Sequence, residues 1–361
     1  MEVKVIFNTI TPLFIGNAWG ECEEIKPASL MGALRFWFEI YFLLELLKSP
    51  KEGKESERES EEDKENKIKL FLENYLNSEG RPCENLKYEE FKRKLKENLI
   101  TFSKFEKNFV FDKEIDKTLE NLKISVPSRI FGCTGWRSRV EVRIKNYSVR
   151  DINFGDIDLF KFINSSWWIK KILFNDKERI ITFENVEIIL RTKEYWWDTY
   201  LKQFFEYLRN KIILVGGKKS FGFGFVNLRL YGDDVSNEIS QYENEYIYQN
   251  KIKVNADVSK KVLGFNFRYY LRREHTEPDF RYKNFGGGGN IRKASRIYIS
   301  SLNPRKGSME NYLYILIFKK EPFDLENEKS LDDKIIKEYI KEYILKIGRI
   351  VRKKELLPLK M

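Results

Sequence analysis

Two stretches of this chain share a pattern that narrows the folds open to it. LMGALRFWFEIY, residues 30 to 41, has a glycine early in an apolar run, an arginine one turn later and aromatics after it. VLGFNFRYYLRR, residues 262 to 273, has the same order, with Gly264 four residues ahead of Arg268 where Gly32 is three ahead of Arg35. Each is followed by a second matching pair. FGCTGWRSRVEVRI (131 to 144) and FGGGGNIRKASRIYIS (285 to 300) both pass from glycines through basic residues to Ser-Arg and then a strand pattern. Ser138-Arg139 is thus matched by Ser295-Arg296. Each half then has a later helical pattern, about 194 to 212 and about 331 to 347. An internal repeat of this kind is one supersecondary unit used twice, and β-α-β-β-α-β is the simplest unit with that order.

The fold class read from this is α+β: two ferredoxin-like, RRM-like domains packed together, with a helical insertion in the first. The N-terminal domain is expected over 1–235 and the C-terminal one over 250–361, with 48–125 a largely charged, helical insertion. Residues 48 to 67 hold no hydrophobic side chain and set six Lys/Arg against eight Asp/Glu, so a solvated, disordered segment is expected there. Amphipathic helices are expected at 68 to 77 and 86 to 99, and β patterns at 139 to 149 and 180 to 191. VKVIFNTITPLFIG at the start reads as a strand running into a turn at Thr11-Pro12. The stretch Leu30 to Leu47 is apolar nearly all round, which predicts a helix buried between a sheet and another layer, starting at Pro27-Ala28-Ser29. Arg35, Glu39 and Glu45 within it argue against a membrane span. On the 194 to 212 helix, Trp197, Leu201, Phe204 and Leu208 form one stripe, read as core packing ahead of a base-stacking surface.

VGGKKSFGFGFV, residues 215 to 226, poses the functional question. A Walker loop needs a glycine where Ile212 stands and Ser or Thr where Lys219 stands. A dinucleotide fingerprint needs a third glycine where Asn227 stands, and a helix where Phe225 to Leu230 is strand-like. The RNP1 pattern of RNA-binding sheets fits Gly222 to Val226 but fails at both ends, at Phe221 and Leu228. A glycine turn between a helix and a core strand stays open beside it.

Thr11-Pro12-Leu13 with Gly16, SLMGALRFW at 29 to 37 and GGKKSFGFG at 216 to 224 together resemble the RAMP superfamily of CRISPR-associated proteins, over most of the chain. The addition of RIFGCTGWRSRV at 129 to 140 makes it most similar to the first subunits of the type III-B effector, the Cmr complex. That resemblance implies a subunit holding guide RNA (crRNA) near its 3′ end and the adjoining duplex with target RNA. Its other partners would be RAMP subunits of the Cmr effector complex, one of which cleaves. It also places the glycine-rich loop between the second helix and last strand of a ferredoxin-like unit. The charged insertion departs from the pattern, as does the lack of a K-x-x-x-G-F-G sequel to the second glycine run.

Charge supports a polyanionic partner independently. The chain of 361 residues carries a net +11. Twelve Lys/Arg face three Asp/Glu between 260 and 306, and six face one between 129 and 150. Both regions adjoin glycines, whose N–H groups can approach phosphates, while arginine forks onto them and aromatics stack on unpaired bases. The phosphate candidates are Lys218, Lys219, Arg137, Arg139, Lys293 and Arg296, with Trp136 and Phe221 for stacking. Gly217, Gly222, Ser138 and Ser295 are loop positions beside them. Arg35 is a further candidate, although Glu39 one turn on offers it an ion pair.

Chemistry of cleavage is thinly represented. Metal-free RNA cleavage needs a base and an acid, work usually done by histidine, and His275 is the one histidine in the sequence. Asp156 with Asp158 and Asp233 with Asp234 read as turns rather than a metal pair, and no metal or other cofactor is expected. Cys22, Cys83 and Cys133 lie far apart with no C-x-x-C, which fits a reducing cytoplasm and neither zinc nor a disulfide framework. High Lys and Glu with three Gln suits a thermophile. The expectation is a non-catalytic RNA-binding subunit. A metal-independent RAMP endoribonuclease using His275 or a tyrosine, or a structural adaptor contacting only other subunits, are the alternatives.

Overall fold

The computed structural model describes residues 1–16, 23–47, 61–76, 82–102, 110–160, 167–232, 239, 241–244, 246–255, 260–274, 285, 295–302, 310–319 and 356–358. The first half runs β1 (Glu2–Thr9), α1 (Pro27–Leu47), α2 (Glu61–Tyr75), α3 (Tyr88–Phe102), α4 (Phe111–Asn121), α5 (Val126–Phe131), β2 (Glu141–Asn153) and β3 (Ile157–Phe160). It continues with α6 (Trp167–Phe174), β4 (Arg179–Arg191), α7 (Glu194–Trp196), a π-turn over Trp197–Leu201, α8 (Lys202–Leu208), β5 (Ile212–Leu214) and β6 (Phe225–Leu230). The second half comprises β7 (Tyr242–Glu243), β8 (Ile247–Asn255), β9 (Lys261–Val262), α9 (Gly264–Glu274), β10 (Ile297–Ile299), β11 (Glu310–Phe318) and β12 (Leu356–Pro358).

The first sheet is antiparallel with order β2-β4-β1-β6-β5. Alternation along β1 buries Val5 and Phe7, which the register sets beside Ile188 and Val186 of β4 and Leu230 and Leu228 of β6. Two-residue periodicity puts all of these on one face, and α1 packs there. Pro27 opens α1, where its missing N–H costs nothing. Its all-round apolar character has the expected cause: the Trp37 indole donates to the Leu214 carbonyl of β5 (3.3 Å), while Phe38 meets Phe131 of α5 and Phe204 of α8. The helix ends earlier than the 194 to 212 reading, at Leu208, and its stripe Trp197, Leu201, Phe204, Leu208 is core.

The second sheet, antiparallel with order β10-β11-β8-β7, buries Ile297, Ile299, Leu313, Ile315 and Ile317 on one face. Strands β12, β3 and β9 form a third small sheet in which β3 and β9, one from each half, run parallel. The halves also meet where Gln249 accepts the Ile212 N–H at 2.8 Å, and where Phe318 packs on Phe36 and Trp37 at 6.0 Å.

One expectation is corrected. The charged segment 48 to 67 is not structureless throughout, because α2 begins at Glu61. Glu, Lys and Asp in that stretch are tolerant of a helix without burial, and Ile68, Phe71 and Leu72 give it an apolar side to dock. Residues 48–60 and the expected helix at 331 to 347 lie outside the described residues.

Candidate nucleic-acid interface

The glycine-rich loop is built against the end of β1. Gly217 donates its N–H to the Phe14 carbonyl (2.6 Å) and Gly224 donates to Pro12 (3.0 Å), while the Thr11 hydroxyl accepts from Phe225 N–H (3.0 Å). Thr11-Pro12 and the glycines thus form one tied crossing. Two glycines are compelled: a Cβ on Gly224 (φ +77°) would sit 2.1 Å from the Val215 carbonyl oxygen, and one on Gly222 (φ +92°) 2.7 Å from Ser301 N and 2.8 Å from Gly264 N. Gly222 therefore lies backbone to backbone against the second half. Phe223 and Phe225 are fully buried, so the partial RNP1 match presents no aromatic to a base.

Lys218 has a left-handed φ of 53° and donates Nζ to the Ile172 carbonyl (2.5 Å). Lys219 is half-buried, and burial holds both amines below the usual lysine range. Two further lysines flank this turn. Lys260 donates to the Gly155 carbonyl (2.9 Å), and Lys261 is 5% exposed with its amine 5.7 Å from the Phe223 ring and no hydrogen-bond partner. Burial, with Arg150 adding to it, pushes the Lys261 amine down to about 8. Sequence reading counted Lys260 and Lys261 in a basic run without singling them out, since only the pairing of Lys261 with Ile157 brings them to the loop.

Other candidates are occupied by the fold. Arg35 donates to Glu39 (2.8 Å), the Tyr75 hydroxyl (2.7 Å), the Gly132 carbonyl (2.7 Å) and Ser128 (3.3 Å). It braces α1 to α2 and α5 and leaves no fork for a phosphate. Trp136 is buried, donates to the Arg129 carbonyl (2.9 Å), meets Phe91 at one side and carries Arg139 over its ring at 3.9 Å; it is no platform for a base. Phe221 is buried and stacked on Phe265 at 5.5 Å. Arg296 is buried and donates to the Phe318 (3.1 Å) and Lys319 carbonyls. Ser138 sits between the Ile130 and Val140 carbonyls, and Ser295 accepts from Arg268 (2.7 Å) and donates to Ile297 (2.9 Å). Lys293 and His275 lie outside the described residues.

Arg137 is exposed and Arg139 half-buried, but the structure does not join them to the loop. They precede Glu141, which pairs with Arg191 opposite Glu2 at the start of β1, whereas the loop lies beyond Thr9 at its end. A strand of that length separates them by roughly 25 Å. No group of carboxylates, cysteines or histidines able to hold a metal exists among the described residues. Burial, followed by Glu84, pushes the Cys133 thiol up to about 11, which keeps it protonated and poorly nucleophilic.

A mixed α+β chain with antiparallel sheets and a glycine loop between its second core helix and last strand defines a class that the comparisons identify. The sequence model of the RAMP superfamily matches residues 6–227, and the chain belongs to that superfamily. Among solved structures it is similar to Cmr1 from Pyrococcus furiosus in its apo form, with a TM-score of 0.38, 13% sequence identity and 92% of each chain covered. A search of curated proteins finds no match. No helix of the described residues is long and apolar enough to cross a membrane.

Proposed function

We propose that this chain is a non-catalytic RNA-binding subunit of a type III-B CRISPR effector. It holds guide RNA near its 3′ end and the adjoining guide–target duplex, while a neighbouring RAMP subunit cleaves the target. The observation that carries the reading is the set of lysines, Lys218, Lys219, Lys260 and Lys261, around a glycine turn in a RAMP chain. Counterion release by such amines supplies sequence-independent affinity for a phosphate backbone, which suits a subunit whose guide sequence varies. The Cmr assignment rests on the motifs at 29 to 37 and 129 to 140.

The two-domain ferredoxin-like arrangement belongs to the same proposal. In the first sheet, β1, α1, β2, β4, α8 and β6 follow in β-α-β-β-α-β order, with strands arranged β2-β4-β1-β6. In the second, β8, α9, β10 and β11 repeat the first four steps, with β10-β11-β8 as the matching order. Residues beyond 319 would supply the second helix and last strand.

Incubating the purified chain with labelled guide RNA in EDTA, and scoring retention and cleavage together, tests the function. RNA bound and intact is expected. RNA bound and cut would favour the endoribonuclease reading, and RNA not bound would favour the adaptor.

A further inference from the structure

The outward faces of the two sheets differ in chemistry. On the first, the positions alternate with Val5 and Phe7, and the register gathers Lys4 with Glu187 (3.2 Å), Arg191 with Glu2, and Arg143 with Glu141 (2.7 Å). Charge there is matched pair by pair and no strand ring lies among them.

On the second, Leu313 and Ile315 of β11 enter the core, so Tyr312 and Tyr314, two residues apart, belong to the other face. Both are half-buried. Strand β8 sets Lys253 opposite Tyr312 and Lys251 opposite Tyr314. The Lys251 amine lies 4.3 Å from the centroid of the Tyr312 ring, which shows the two side chains on the same face. Strands β11 and β8 are the inner pair of the sheet. The other end of this face is closed by the first half, through Gln249 on Ile212 and Phe318 on Phe36. What stays outside that closure is a short strip of two rings and two amines.

Aromatic rings at alternate positions of a central strand are how RRM sheets take unpaired bases, and lysine beside them meets the phosphates. We propose that this strip binds single-stranded RNA, with bases stacked on Tyr312 and Tyr314 and the backbone met by Lys251 and Lys253. A single strand is the occupant that matches both the rings and the positive charge, neither of which the first sheet offers. The inference rests on the RNA-binding reading above and extends it to a surface that does not involve the glycine loop.

The test uses the full chain with a short labelled single-stranded RNA and, in parallel, an abasic strand of the same length. Wild type should bind the base-bearing strand more tightly. Tyr312→Leu should weaken that strand by roughly 5- to 150-fold, the range for one base–aromatic stack, and leave the abasic strand unchanged, while Tyr312→Phe retains binding. Lys251→Gln with Lys253→Gln, placed where folding is not at stake, should weaken both strands and flatten the salt dependence by about 0.7 log unit for each phosphate left without its amine. If wild type binds RNA and neither Tyr312→Leu nor the lysine pair changes affinity, the strip is overturned while the glycine loop stands. If wild type binds neither strand, the RNA-binding reading falls and the strip with it. Loss of a protein neighbour with RNA affinity intact would also overturn it.

Discussion

Ser301 donates its N–H to the carbonyl of Gly222 at 3.2 Å, so the tip of the glycine-rich loop is hydrogen-bonded to the second half of the chain. The loop is a joint as well as a candidate RNA contact, and the two roles fall on different residues. The glycines serve the joint and the lysines face the partner.

Gly222→Ala should therefore destabilise the fold. A Cβ there meets Ser301 N at 2.7 Å and requires an L residue at φ +92°, a conformation that costs roughly 1–2 kcal/mol before any clash is counted. Urea unfolding should show a reduction of at least about that size. A variant as stable as wild type would mean that the backbone contact is not held.

Arg35→Met should cost stability and spare RNA contact. Glu39 is 5% exposed and held above the usual carboxylate range by burial, with the Tyr75 hydroxyl and Arg35 acting against that shift. Removing the arginine strands this carboxylate, at a cost of about 3–5 kcal/mol for a broken buried pair. Melting should fall by many degrees while the salt slope of RNA binding in the folded range stays the same. A changed slope with unchanged melting would make Arg35 a phosphate ligand instead of a brace.

Lys261 predicts a pH dependence of opposite sign to a salt bridge. Its folded value of about 8 lies below the ordinary lysine value of 10.5, so between these pH values the unfolded chain binds more protons than the folded one. Stability contributed by this residue should rise from pH 8 to about 10.5. Relative to Lys261→Met, the gap should narrow by about 2–3 kcal/mol across that range. Parallel pH profiles for the two proteins would contradict the burial of a charged amine.

Much of the fold was legible because it follows from period and order. Strand β6 occupies Phe225 to Leu230 as its alternation suggested, and α1 begins at Pro27. The repeat is visible in side-chain chemistry too: Arg35 donates to the Gly132 carbonyl at 2.7 Å and Arg268 to the Phe285 carbonyl at 2.9 Å, at matching points of the two glycine segments. Site residues were less legible. Arg296 and Trp136 carry the composition of RNA contacts, yet their partners are backbone carbonyls whose positions depend on tertiary packing. The π-turn at Trp197–Leu201 and the buried setting of Lys261 likewise have no local signature, since each is decided by elements distant in sequence.

The most direct measurement of the central claim is RNA affinity across a salt series for Lys218→Ala with Lys219→Ala, with a melting curve alongside. These side chains lie outside the glycine joint, so stability should shift by under about 0.5 kcal/mol. Affinity for single-stranded RNA should fall, and the slope of log affinity against log salt should flatten by about 0.7 for each phosphate that the two amines had neutralised. An unchanged slope with an unchanged melting curve would leave the loop a structural joint alone and contradict its assignment as an RNA contact.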